Sequence, residues 1–235
     1  MQIRLDKFLS SQTMYSRSEI KALIKKKSVL VNGETAKSSD RKIDTDHDTV
    51  TCDGREIVYR EHVYYMLNKP QGVVCATEDK REKTVLELLP DDRRRQGLFP
   101  AGRLDKDTTG LLILTDDGDF AHRMLSPKKH VWKYYRAELD KKPESDIKEA
   151  FAKGVVLHDG TLCESADILS IEESTVCLRI REGKYHQVKR MFASQGYTVV
   201  ALERYRIGAL GLDASLKQGE ARELSAEESA LILQE

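Results

Sequence analysis

The chain has only four cysteines in 235 residues, at positions 52, 75, 163 and 177, and none forms a Cys-x-x-Cys pair. That spacing offers neither a zinc ribbon nor a disulfide framework, and scattered thiols suit a reducing, cytoplasmic compartment. No run approaches the ~20 apolar residues needed to cross a membrane. The start, Met1-Gln2-Ile3-Arg4-Leu5-Asp6, has no apolar segment of the kind that directs secretion. Net charge is missing as well, with 39 basic residues balancing 39 acidic ones. A polyanion-binding surface must therefore come from local clustering, because the total carries no information. Tandem repeats and low-complexity stretches are absent, and no nucleotide-binding glycine motif or metal-ligand cluster is present. The length suits one large domain or two small ones.

Charge does cluster at the amino terminus. Residues 1–42 hold ten Lys or Arg against four acids, a local excess of six positive charges. Leu5, Phe8 and Leu9, and then Ile20, Leu23 and Ile24, fall at helical spacing and predict two short amphipathic helices packed on each other. Ser16 and Glu19 form a capping box at the start of the second. Lys21, Lys25 and Lys26 lie along and just past it as candidate RNA contacts. Residues 29–31 read as a strand running into the Asn32-Gly33 turn, a strong hairpin signal. Turns and short strands follow over 43–59. Two helices and a small sheet with lysines on the second helix resemble the RNA-binding domain of the ribosomal-protein-S-four-like family. The first domain is expected to span residues 1–59 and the second 60–235.

The stretch 100–118, PAGRLDKDTTGLLILTDDG, looks like a reaction centre. Gly102 and Gly110 permit backbone angles closed to other residues, so the polar segment between them can bend tightly and present a carboxylate. Asp105 and Asp107 are the candidates, and Arg103 is near enough to hold a phosphate or keep a carboxylate ionised. The apolar run 111–114 reads as a buried strand, a rigid anchor for such a loop. Asp and Gly are also ordinary turn residues, so spacing alone leaves a structural loop equally open. Around it, residues 63–67 read as a strand ending near Lys69-Pro70. Further strands are expected at 73–77, 131–139, 155–157, 168–171, 176–180 and 197–202. Helices are expected at 85–89, 120–125 and 147–151, opening within the stretch 181–192, and from a capping box at Ser225.

Gly102-Arg103-Leu104-Asp105-Lys106-Asp107-Thr108-Thr109-Gly110 closely resembles the signature loop of the pseudouridine synthases, in the branch that includes the 16S ribosomal RNA enzyme. The resemblance covers nearly the entire chain. Asn68-Lys69-Pro70-Gln71-Gly72 resembles that branch's first segment and makes Lys69 a candidate substrate contact. Lys133-x-Tyr135 resembles its second motif, with Tyr134 where a small residue is usual. Tyr185-His186-Gln187-Val188-Lys189-Arg190-Met191-Phe192 resembles the third in its 16S form, whereas large-subunit relatives tend to carry Asn-Arg-Gln. The resemblance implies that Asp105 is the catalytic aspartate and that Lys189 pairs with it, favouring its ionised form, with Arg190 as the neighbouring alternative and a further substrate contact. It implies that Tyr135 sits over the target base and that Arg103 occupies the space the flipped base leaves.

The function so implied is the isomerisation of a uridine to pseudouridine in 16S ribosomal RNA, or in a small-subunit assembly intermediate. Breaking one sugar-to-base bond and rejoining the base through carbon 5 needs no redox partner or group donor, so neither cofactor nor metal is expected. The fold expected is α+β: a small helix-rich RNA-binding domain and a catalytic domain of mixed, mainly antiparallel sheet flanked by helices. The protein is expected to be a cytoplasmic monomer. Three alternatives remain: the same chemistry on large-subunit RNA, a non-catalytic RNA-binding assembly factor, and, from the several acids alone, a glycoside hydrolase. The basic amino terminus speaks against the last.

Overall fold

Leu5, Phe8 and Leu9 become one buried face, each at most 2% exposed, of a helix over Leu5–Gln12 (α1) that follows directly on a short strand over Gln2–Arg4 (β1). The computed structural model describes residues 1–126 and 131–234. A second helix, Arg17–Lys25 (α2), begins with the expected capping box, and buries Ile20 and Ile24 while Lys21, Lys25 and Lys26 stay exposed. Strands Val29–Val31 (β2) and Glu34–Thr35 (β3) pair across Asn32 and Gly33, whose φ angles of 56° and 79° suit the right-handed twist of a two-residue hairpin. Lys42–Asp44 (β4) pairs with β1. Val50–Cys52 (β5) pairs with both β2 and Arg55–Ile57 (β6).

These elements form one compact unit, Met1–Val63, which also takes in Leu89–Leu98. That later segment was expected within the second domain. Its anchor is Arg95, 5% exposed, which donates to Gln12 Oε1 at 2.9 Å and to the carbonyls of Arg60 and Glu61 at 2.8 and 3.1 Å.

The other unit comprises Tyr64–Leu88 and Phe99–Glu235. Its strands are Tyr64–Lys69 (β7), Phe99–Ala101 (β8), Thr109–Thr115 (β9), Lys133–Leu139 (β10), Asp167–Glu172 (β11), Thr175–Ile180 (β12), Val199–Ile207 (β13), Leu210–Gly211 (β14) and Ala221–Glu223 (β15). They make a nine-stranded sheet in the order β11-β12-β10-β13-β9-β7-β15, with β14 on β13 and β8 on β9. Every pairing is antiparallel except β13 with β9, so the sheet is mixed and mainly antiparallel. Helices Gly118–Leu125 (α3), Ile147–Lys153 (α4), Gln187–Ser194 (α5) and Ala226–Leu231 (α6) flank it. Residues 111–114 of β9 are wholly buried, as an unbroken apolar run in a central strand should be.

Three expected elements differ. Residues 73–77 and 155–157 bury Val73, Val155 and Leu157 yet make only single bridges, Val74 to Thr84 and Val156 to Leu162. Apolar side chains there fill the core from loops, without a neighbouring strand to ladder against. The helix expected at 85–89 is a single tight turn, Leu86–Leu88, stopped before Pro90.

Candidate active site

Two glycines shape the loop that carries Asp105. Gly102 and Gly110 have φ angles of 87° and 99°, and a Cβ on Gly110 would lie 2.3 Å from the carbonyl oxygen of Arg204. That close approach is where β9 meets β13 in parallel, with Gly110 opposite Arg204. The loop is tied from beneath by Lys69, the last residue of β7. Its fully buried ammonium donates to the carbonyls of Pro70 and Asp105 at 3.0 Å, Thr108 at 2.9 Å and Lys106 at 3.3 Å. Burial holds the Lys69 pKa below the ordinary lysine range. Lys69 therefore does not face a substrate as expected. Its ammonium is taken up by backbone carbonyls that orient the loop, and no face of it is open to a ligand.

Asp105 projects from this loop with its side chain 25% exposed. Lys189, the third residue of α5, places Nζ 3.2 Å from Asp105 Oδ2 and also donates to Asp107 at 2.5 Å. That hydrogen bond, strengthened by the charge of Lys189, holds the Asp107 carboxyl below the usual carboxylate range. His186 Nε2 lies 3.5 Å from Asp105 Oδ1. Arg190, the other cation of the pair, turns away: it binds Asp159 at 2.5 Å and the carbonyl of Tyr185 at 3.3 Å. One residue along a helix rotates a side chain by about 100°, so adjacent cations cannot both reach the same carboxylate. Arg190 is thus committed to structure, and the expected substrate contact at that position is not supported by its geometry.

Asp105 and Tyr135 line a common cavity of about 70 Å³, with Arg103, Thr108 and Ile180. A larger cleft of about 370 Å³ adjoins it, sharing Arg103, Asp105, Lys184 and His186 and adding Cys75, Lys106 and Tyr185. Its size falls in the ~300–1,000 Å³ range of small-ligand sites. Arg103 is exposed at this opening. Tyr135 reaches the cavity because successive strand residues alternate in direction: Tyr134, beside it, stacks instead with Arg206, whose guanidinium is 4.5 Å from the ring centre. Buried against Arg206 and Arg179 and not against the cavity, Tyr134 is accommodated as a bulky residue between Lys133 and Tyr135.

Two further cations are buried in this unit. Lys133 donates to the carbonyls of Val131 and Arg181 at 3.1 and 2.8 Å, and burial pulls its pKa down to about 8. Arg204 donates Nε to the Leu111 carbonyl at 2.9 Å, while its Nη2 has no partner among the described residues. Among the described residues, no group of three or more His, Cys, Asp and Glu could hold a metal ion. Nor is any helix among them long and apolar enough to cross a membrane.

From the sequence, no role falls to His186 and Tyr185, which stand inside the third motif, or to Lys184, which precedes it. The signal for His186 is conformational: its φ of 47° is left-handed, and that turn is what aims the ring at Asp105. Lys21, Lys25 and Lys26 belong to the other unit, exposed along and just after α2.

A carboxylate on a glycine-hinged loop is thus paired with a lysine from a distant helix, over a mainly antiparallel sheet. The chain belongs to the RNA pseudouridylate synthase family, whose model matches residues 63–194, and carries an S4 domain matched over residues 3–50; it is an isomerase. It is 45% identical over 233 residues to the Ribosomal small subunit pseudouridine synthase A of Escherichia coli (strain K12), covering 98% of this chain and 100% of that one. It is 44% identical over 234 residues to the protein named Uncharacterized RNA pseudouridine synthase YtzG of Bacillus subtilis (strain 168), covering 98% of each. A crystal structure of a pseudouridylate synthase is similar in fold, with a TM-score of 0.69 at 38% identity over 98% of this chain and 99% of that one.

Proposed function

We propose that the enzyme converts a uridine of 16S ribosomal RNA to pseudouridine, with Asp105 as its catalytic group and without a cofactor. The observation that carries this reading is the Asp105 carboxylate held 3.2 Å from Lys189 and 3.5 Å from His186, in a cavity shared with Tyr135. The N1–C1′ bond of the uridine breaks, the uracil turns, C5 bonds to C1′, and the proton lost from C5 is balanced by one gained at N1. Asp105 serves this exchange as nucleophile toward ribose or uracil or as base at the sugar, and each route needs an ionised carboxylate. Tyr135 stacks on the uracil, and its hydroxyl takes part in proton transfer. The uridine must leave its stack first, which costs a few kcal/mol, and Arg103 lowers that cost by occupying the vacated space. Lys21, Lys25 and Lys26 bind backbone phosphates of the same RNA. The enzyme works in the cytoplasm as a monomer. The 16S assignment rests on the named function of the Escherichia coli relative and on the Tyr-His-Gln form of the third motif.

The test is pseudouridine formation in separate 16S and 23S rRNA transcripts. Wild type is expected to modify the 16S transcript at one position, and Asp105→Asn is expected to bind it but form no detectable product. Modification confined to the 23S transcript would overturn the choice of substrate. Full turnover by Asp105→Asn would overturn the assignment of the carboxylate.

A further inference from the structure

Of the fifteen Phe, Tyr and Trp side chains, Tyr185 is the one that stands exposed, at 70%. Its ring is nevertheless held in place. It stacks on His186 with ring centres 3.8 Å apart and planes 18° from parallel, and its carbonyl accepts a hydrogen bond from Arg190 at 3.3 Å. Arg190 is itself anchored to Asp159, and His186 is fixed by its left-handed turn with its far edge 3.5 Å from Asp105. The aromatic is therefore two rings out from the carboxylate and lines the larger cleft together with Arg103, Lys106 and Lys184.

An ordered aromatic face left open to water, beside Arg103 and beside Lys106 and Lys184 in their ion pairs with Glu82 and Glu182, is the composition of a single-stranded nucleic acid site. Bases stack on the ring, and the cations take the phosphates. A purely structural tyrosine would bury its second face, as the other aromatics of the chain do to a greater degree. We infer that Tyr185, mounted on His186, is a stacking platform for an unpaired nucleobase adjoining the target uridine. This rests on the reading of the enzyme as an RNA pseudouridine synthase. Arg103 and Tyr185 then divide the work: one occupies the gap left by the flipped uridine, the other holds a neighbouring base out of its stack. The platform makes the enzyme selective for uridines in loops or bulges, where the neighbour is free to stack on protein.

The test measures binding of 16S rRNA fragments to the Asp105→Asn protein, so that no chemistry intervenes. The fragments carry an abasic nucleotide at each position in turn around the modified uridine. Tyr185→Ala in that background is expected to weaken binding of the intact fragment about tenfold, the ordinary worth of one stacked base, with Tyr185→Phe near the parent. One abasic fragment is expected to bind the parent about tenfold more weakly than the intact RNA while binding the Tyr185→Ala protein no worse. A loss with Tyr185→Ala that is equal on every fragment would mean the ring only props His186, and would overturn the platform. Equal binding by Tyr185→Ala and the parent, or no binding of any fragment by the parent, would overturn it too. The wild-type enzyme, assayed alongside for pseudouridine, reports separately on the proposed reaction: abasic dependence without product would leave the platform standing and remove the reaction.

Discussion

Lys69 and Lys133 show how far a residue's role can lie from its type. Each is an ammonium with 6% exposure or less, and each directs its hydrogen bonds to backbone carbonyls. A buried, unpaired cation destabilises a fold unless its donors are satisfied. Four carbonyls around Lys69 meet that need, and in doing so they set the curvature of the loop that presents Asp105. Lys133 retains a cost that depends on pH. Burial brings its pKa from the ordinary 10.5 to about 8. Below pH 8 both folded and unfolded chains carry the charge, and the fold bears the full penalty of keeping it from water. Between pH 8 and 10.5 the unfolded chain binds the extra proton, so this residue makes stability rise with pH, and above that range the penalty is gone. Urea unfolding of wild type and Lys133→Met at pH 7, 8, 9 and 10 should show the stability difference moving in favour of wild type as pH rises. A difference independent of pH would show that Lys133 stays charged in the fold throughout.

At the scale of elements, the site depends on the contact between β9 and β13, the one parallel pairing in the sheet. Gly110 sits at that contact with a φ of 99° and a carbonyl 2.3 Å from where a Cβ would be. Gly110→Ala combines left-handed strain with a backbone clash, and is expected to destabilise the protein by roughly 3 kcal/mol or more. Gly102→Ala is the milder control: although its φ is 87°, the nearest atom is the end of the Leu125 side chain at 2.9 Å, which is free to move. Urea midpoints should separate the two, and equal midpoints would show that the β9–β13 approach relaxes without cost. The glycine hinge is legible from sequence as a turn residue. Its second duty is not, since Arg204 is ninety-four positions further along the chain.

On the scale of the whole molecule, chemistry and affinity are assigned to different units. The carboxylate, its lysine and the cleft belong to the second unit, whereas Lys21, Lys25 and Lys26 belong to the first. With net charge zero, the chain as a whole offers no long-range attraction to RNA, so the proposed function assigns that attraction to these local lysines. Replacing all three by Gln should weaken rRNA binding and flatten the plot of log Kd against log salt by about two to three units, roughly 0.7 to 0.9 for each phosphate no longer neutralised. Single-turnover isomerisation at saturating RNA should stay near wild type. An unchanged salt slope would mean that the RNA backbone runs elsewhere.

Local sequence determined a good deal here. Periodicity placed α1 and α2, an unbroken apolar run placed β9, the capping boxes at Ser16 and Ser225 placed two helix starts, and Asn32-Gly33 placed a hairpin, because each is a contest settled within a few residues. The motif around Asp105 marked the loop, and the third motif marked α5. Tertiary structure alone decided what those pieces do to one another. It chose Lys189 over Arg190 as the partner of Asp105, turned Lys69 from a surface cation into a buried strut, drew residues 89–98 into the first unit, and set His186 and Tyr185 beside the carboxylate. Those outcomes depend on helix phase, on burial and on contacts between positions some eighty residues apart, which no local pattern encodes.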